Sequence, residues 1–440
     1  MKMDSLAHNE YFNALGEYCS QFMYIKLHDV NHSTLFHEYI HHIQNVTTYY
    51  SINTFLCLKM LFFDRIIDIR GWDSSCKLSG LYARNIFLLS KTIGDRADIP
   101  FNKVEITNKY FITVDNRITA VGLHLLIDKT PKEYVFGTIA IKECMANIIE
   151  QQYYPNKKMN NVLTYHICEI LICDLCPSIK GNAAAILAIM ELSLMSVSPV
   201  EALIHILVKL KDEKYGNVSP STILSIVSSF STYSMNQNGV VKKTMLDEMH
   251  DDLLEKIDST LDLFYHLFSQ SELIIPFKDW QKETLKSSFL IRKEHPLLLT
   301  SMLNENVYSV KNDDNPISSY HIKFPIIIDR DYKNIHFNND NIRGKLLMFL
   351  AEEEAFQQLT NLQTGKKTGC RLKEYCKKYV KYGGRTKTAT LNFRWTTADK
   401  LDKLLSIYNE ELCSNPTKRE KNNFGCIFSK MWGDIIDNGD

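Results

Sequence analysis

The chain has 440 residues, enough for two or three domains, and its 51 Lys+Arg balance 51 Asp+Glu. Zero formal net charge excludes a globally basic nucleic-acid coat and an acidic solvating protein, though not a local patch. Hydrophobic content of 45% and aromatic content of 11% can fill a core and exclude wholesale disorder, while 17 Gly and 11 Pro disfavour linker-rich and sandwich-like β chains. The 11 cysteines form no even ladder, and the first residues, MKMDSLAHNEYFN, are polar. Lys59 and Glu191 interrupt the longest apolar runs well short of the ~20 residues of a membrane span. The expectation is a cytoplasmic, reduced protein that does not enter a membrane.

In chain order, Gln21–His28 alternates as a strand, with Phe22, Tyr24 and Lys26 against Met23, Ile25 and Leu27. A turn at Asp29–His32 leads to Ser33-Thr34, a helix N-cap pair, and one long helical pattern through Phe36–Asp64. Lys103–Ile127 reads as strands with turn signals at Asn108-Lys109 and Asp115-Asn116, and Gly137–Tyr154 returns to helix. Polar breaks at Pro155–Asn161 and Lys311–Ser318 divide the chain into 1–155, 156–312 and 313–440. The middle segment is nearly all helical in pattern; the last mixes a strand at Ile322–Ile328 with helices at Lys345–Leu362 and Ala398–Leu412. The fold class expected is α+β, mostly helical, with a small sheet in the first segment.

The residues that carry chemistry are His37-Glu38-Tyr39-Ile40-His41, an HExxH match just inside a helix start. At 100° per residue, His37 and His41 lie about 40° apart on one face, so both imidazoles converge on one cation, as tetrahedral zinc requires. Glu38 lies about 100° round from His37, off the ligand pair yet within reach of a water at the metal, the place of a general base. Gln44 and Thr48 continue the histidine stripe as polar residues, while Ile40, Ile43, Val46 and Tyr50 form the apolar side; Gln44 suits a cleft or a partner of the ligands. His42 points away. A bland alternative is a polar-faced surface helix with two stacked histidines.

A third ligand must come from another element. Glu143 is the leading candidate: in GTIAIKECMANIIE it shares a helical face with Ala146, Asn147 and Glu150, and the small Ala146 allows close helix approach. Glu150 lies where it can back a histidine or Asn147. Solvent-facing helix charges would look the same in sequence. Glu169, Glu191 and the run Glu352-Glu353-Glu354 are weaker rivals, the last reading as a solvated face.

HEYIH followed by a Glu-bearing helix resembles the zincin metallopeptidases, specifically the gluzincins, over about the first third of the chain. The resemblance implies a zincin-like catalytic domain at 1–155 that holds Zn2+ through His37, His41 and Glu143, with Glu38 as general base and acid. It also implies that the strand Gln21–His28 lines the substrate cleft. The long spacer between HExxH and Glu143 departs from the thermolysin-like branch, and neither a third His at metzincin spacing nor a Met-turn is present, so no subfamily follows. An oxyanion donor is left open among Tyr153, Tyr154, Tyr165 and His166.

Other features carry less. Cys168, Cys173 and Cys176 include a C-x-x-C with no second pair at zinc-ribbon spacing and read as core residues. Lys366–Arg394 holds ten Lys/Arg against one acid, Glu374, with aromatics between them. Its Lys373, Lys377, Lys378, Lys381 and Arg385 suit a partner-binding surface, for nucleic acid (not favoured) or equally for an acidic protein, or else a solvated face offset by acids elsewhere. Glu38 and His41 also spell E-x-x-H, the unit of di-iron carboxylate bundles, whose second copy would have to be Asp247…His250. The expected function is a zinc-dependent endopeptidase acting on one or few intracellular proteins and regulated by a partner or signal, as in a toxin or immune-type effector. The alternatives are an inert zincin-like scaffold working through the basic segment, and a di-iron oxidase.

Overall fold

A computed structural model describes residues 16–19, 23–28, 31–70, 87, 89–156, 161–212, 218–236, 239–266, 274–303 and 325–329, with four further residues between 352 and 358. The protein is α+β and mostly helical. Its elements are β1 (Gly16–Cys19), β2 (Tyr24–Leu27), α1 (His32–Thr47), α2 (Tyr49–Arg70), β3 (Val104–Val114), β4 (Arg117–Ile127), β5 (Thr130–Phe136), α3 (Thr138–Tyr153) and α4 (Leu163–Leu175). They continue with α5 (Ala183–Ser193), α6 (Pro199–Asp212), α7 (Pro220–Ser229), β6 (Ser231–Asn236), β7 (Gly239–Thr244), α8 (Met245–His266), α9 (Ile274–Glu294), α10 (Leu298–Ser301) and β8 (Ile326–Asp329). No helix among these residues is long and apolar enough to cross a membrane.

The strand expected at Gln21–His28 is β2, which pairs antiparallel with β1 and parallel with β8, so that Tyr24 lies opposite Ile326. The strands expected in Lys103–Ile127 are β3 and β4, which form an antiparallel meander with β5. Its turns use left-handed residues, Asp115-Asn116 at φ 50° and 62° and Asp128-Lys129 at φ 47° and 71°. The meander ends at Phe136, and α3 starts two residues later.

The sequence expected one helix from Phe36 to Asp64; two are present, broken at Thr48 (φ −104°, ψ 144°). The hydroxyls of Thr47 and Thr48 donate back to the carbonyls of Ile43 (2.6 Å) and Gln44 (2.7 Å), which weakens the helical ladder where two β-branched residues meet two tyrosines. The N-cap is Asn31, whose side chain accepts from the Ser33 amide at 2.9 Å, not the Ser33-Thr34 pair. An equally good N-cap acceptor two residues earlier starts the helix sooner. The nearly all-helical reading of the middle segment misses the β6–β7 hairpin.

One continuous apolar cluster links these elements and includes Ile40, Ile43 and Val46 of α1 with Ala140, Ile141, Cys144, Met145 and Ile149 of α3. Cys168 and Cys176 are buried and Cys173 half-buried, all as free thiols. Of the Glu352-Glu353-Glu354 run, Glu352 and Glu354 do not lie on a solvated face: each is 1% exposed. Glu352 pairs with the buried Lys59 of α2 and accepts from the Tyr265 hydroxyl at 3.1 Å. Lys59, the residue that interrupts the apolar run of α2, lies over the ring of Phe264, 4.8 Å from its centroid. The basic segment with Lys373, Lys377, Lys378, Lys381 and Arg385, and the helix expected at Ala398–Leu412, lie outside the described residues.

Candidate metal centre

Helix α1 packs against α3, and their facing sides carry the polar residues that both amphipathic patterns would otherwise place in solvent. His37, Glu38, Glu143, Asn147 and Glu150 are all less than one-tenth exposed. Glu143 and Glu150 are therefore not surface charges of an amphipathic helix.

His37, His41 and Glu143 are the only group of three potential metal ligands of this kind found among the described residues, with their donor atoms within 4.8 Å of one another. Glu143 Oε2 lies 3.2 Å from His37 Nε2 and 3.2 Å from His41 Nε2. Three donors around a tetrahedral zinc with bonds of about 2.0–2.1 Å stand about 3.3 Å apart. Two imidazoles and one carboxylate are also the hard-to-borderline donor set that zinc accepts.

Each histidine is held from behind. His37 Nδ1 is 3.2 Å from Glu150 Oε2, and His41 Nδ1 is 2.8 Å from Gln44 Oε1. Gln44 in turn donates from Nε2 to the Lys142 carbonyl at 3.0 Å, tying α1 to α3. An Nδ1–H donated backwards leaves each Nε2 lone pair aimed at the common point. Asn147 does not reach the histidines; its Nδ2 donates to the Tyr165 carbonyl at 3.5 Å. His42 turns away to the Tyr18 hydroxyl at 3.1 Å.

Without a cation the cluster stores charge. Burial by itself lowers the His37 pKa, but the carboxylates of Glu143 and Glu150, with Glu38 nearby, outweigh it and raise the value from 6.5 to about 10. Burial tends to raise Glu143, yet His41, His37 and Arg96 hold it well below the usual carboxylate range. Glu38 goes the other way: burial raises it, opposed by His41 and His37. No donor among the described residues hydrogen-bonds its carboxylate.

Of the four oxyanion candidates, Tyr165 faces the cluster. Its ring meets His37 edge-on at 5.8 Å, and the charges of Glu143, Arg96 and Glu38 act on its hydroxyl, whose pKa burial raises. The Tyr153 hydroxyl donates to the Met302 carbonyl at 3.3 Å, Tyr154 packs on Phe36 and His166 on Phe101. Asp247 and His250 are not part of the cluster; His250 stacks on Phe289 with centroids 5.0 Å apart.

Sequence reasoning missed Arg96. Its Nη1 lies 3.4 Å from Glu143 Oε1, with the side chain 24% exposed. It stands in a segment outside any helix or strand, with no periodicity; the only signal available was Gly94 two residues earlier, at φ 76°. A Cβ there would lie 2.4 Å from the Gly137 amide nitrogen, so the segment passes against the N-terminus of α3 with no room for a side chain. The surface depression on the β3–β5 meander, beside His124 and Lys132, includes no residue of the cluster. No family model matches this chain, and no curated protein or solved structure is similar to it.

Proposed function

We propose that the protein is a zinc-dependent endopeptidase whose site is His37, Glu38, His41 and Glu143. The observation that carries this reading is Glu38: a carboxylate only 8% exposed, on the helix of two histidines that with Glu143 fit a cation, yet outside that ligand group. A site built only to hold metal has no use for a carboxylate at that position.

His37, His41 and Glu143 hold the ion; when bound, it supplies Lewis acidity, which acidifies water and polarises a carbonyl. Glu150 and Gln44 fix the tautomers of the two histidines. Glu38 takes the proton of the attacking water on its carboxylate and returns it to the leaving amine. Burial keeps its pKa above the ordinary carboxylate value, closer to the optimum for moving a proton near neutral pH. The Tyr165 hydroxyl is the donor for the developing oxyanion. The part of the chain beyond the site suits selection of one or few protein substrates and control by a partner.

The test is metal content by elemental mass spectrometry for wild type, His41→Ala and Glu38→Gln, followed by proteome-wide detection of new peptide termini. One zinc per chain, lost in His41→Ala and kept in Glu38→Gln, with cleavage abolished in both, is the expected result. A metal-free wild type, two irons per chain, or a Glu38→Gln protein that still cleaves would overturn the reading.

A further inference from the structure

The two oxygens of Glu143 face different partners. Oε2 stands 3.2 Å from both histidine Nε2 atoms, while Oε1 is turned to Arg96 Nη1 at 3.4 Å. A carboxylate that chelates presents both oxygens to the ion; one whose second oxygen is held elsewhere offers a single donor.

The segment that presents Arg96 is pinned on both sides. The Asp95 amide donates to the Val135 carbonyl at 2.7 Å, and the Val135 amide donates to Asp95 Oδ2 at 2.7 Å, so Asp95 extends the edge of β5. The Tyr134 hydroxyl also donates to the Asp95 carbonyl, at 2.7 Å. One residue after Arg96, the Ala97 amide donates to Thr164 Oγ1 at 3.0 Å, and that hydroxyl donates to the Ala97 carbonyl at 2.8 Å. Upstream, Thr138 Oγ1 donates to the Thr92 carbonyl and the Ile139 amide to the Ile93 carbonyl, locking the segment to the start of α3. Residues 92–97 are thus bound to β5, α3 and α4, the last two being the helices that carry Glu143 and Tyr165. The guanidinium is placed by the fold, not by a mobile surface stem.

We propose that Arg96 is a positioning residue that holds Glu143 Oε1 and so restricts this glutamate to one ligating oxygen, keeping a coordination position open for substrate. This rests on reading the cluster as a metal centre. With the guanidinium removed, Oε1 is free to rotate toward the ion, and the open position closes.

The experiment loads the full chain with cobalt(II), whose visible absorption is intense in four-coordinate sites and weakens as coordination number rises, and compares wild type with Arg96→Lys, Arg96→Leu and Arg96→Gln. Wild type shows the intense band. Arg96→Lys, with an ammonium still within reach of Oε1, keeps it. Either neutral variant loses the band severalfold while still binding one cobalt per chain. X-ray absorption on the zinc-loaded wild type needs no variant and reports a single carboxylate oxygen on the metal. A chelating carboxylate in the wild type, or an unchanged cobalt spectrum in a folded neutral variant that binds the ion, overturns the role of Arg96 and leaves the metal centre standing. A wild type that binds neither zinc nor cobalt overturns the metal centre itself, and Arg96 with it.

Discussion

Glu143 and Glu191 are both buried carboxylates on helices, and both were candidates for a third metal ligand from sequence, yet their surroundings give them opposite capacities. Every lone pair of Glu191 that matters is taken. Oε1 accepts from Arg292 Nη1 and from the Leu299 amide at 2.7 Å; Oε2 accepts from the Thr300 amide at 2.8 Å and the Thr300 hydroxyl at 2.6 Å. Arg292 also donates to Thr47 Oγ1 at 2.8 Å, so this cluster fastens the end of α1 opposite to the histidines. Glu143, by contrast, gives only Oε1 to a guanidinium, that of Arg96, while Oε2 meets two imidazole nitrogens, groups that can either donate a proton or give it up and ligate. A buried carboxylate saturated by amide, hydroxyl and guanidinium donors is a fastening; one faced by histidines is a ligand in waiting.

The largest break in that comparison is Glu191→Ala. It leaves Arg292, 1% exposed, without its carboxylate and strands the first amides of α10. Losing one partner of a buried ion pair costs about 3–5 kcal/mol. Denaturant unfolding of the metal-free chain reads that loss, while the folded fraction keeps its metal stoichiometry. Glu143→Gln does the reverse: zinc is lost, and the metal-free chain is destabilised less than by Glu191→Ala, because His37 retains Glu150. Equal destabilisation by the two variants would erase the distinction.

Next comes pH. The His37 pKa is raised from 6.5 to about 10 in the metal-free fold, so its imidazolium stabilises that fold fully below about 6.5 and the contribution is lost as pH rises through about 10. A cation must displace that proton. Its apparent affinity therefore climbs about tenfold per pH unit below about 10 and then levels. Thermal melts with and without zinc at pH 6, 7.5 and 9 show a widening gap if His37 is the group displaced. A gap independent of pH removes His37 from the ligand set.

A smaller effect separates the ligands from their supports. Glu150→Gln and Gln44→Leu leave all three donors in place and disturb only the Nδ1 contacts of His37 and His41. Such changes lower metal affinity about 10–100-fold. Competition with a chromogenic chelator measures it; affinities equal to wild type would mean that the helix, not these contacts, orients the imidazoles.

What was legible in the sequence was what helical periodicity can carry. His37 and His41 converge because they are four apart on one helix, and Glu143 and Glu150 share a face because they are seven apart on another. Burial was not legible: a charge on an amphipathic helix looks the same whether it faces water or a partner helix, so Glu143 could not be told from a surface residue, nor Glu352 from a solvated run. Arg96 had no periodicity to betray it, since its place is set by hydrogen bonds to β5 and α4. The helix break at Thr48 depends on side chains bonding back to carbonyls, which a hydrophobic pattern does not record. The β6–β7 hairpin did carry a signal, Asn238-Gly239, that the surrounding helical pattern masked.

The smallest effect concerns the helix that supplies Arg292. Along α9, Gln281, Thr284, Ser288 and Arg292 recur every three or four residues and are no more than 1% exposed. Among the described residues, Gln281 Nε2, Thr284 Oγ1, Ser288 Oγ and Arg292 Nε meet no hydrogen-bond partner. Unlike the two carboxylates, these groups carry a desolvation cost that no described residue offsets, about 1–3 kcal/mol for each polar group left without a bond. Replacing them with apolar groups of the same shape should therefore stabilise the chain: Thr284→Val, and separately Ser288→Ala, each by about 1 kcal/mol. Metal stoichiometry stays unchanged, since neither residue touches the histidine cluster. Destabilisation by either variant in chemical unfolding would show that its hydroxyl is satisfied in the native protein, and that the contrast with Glu191 lies in the kind of partner and not in the lack of one.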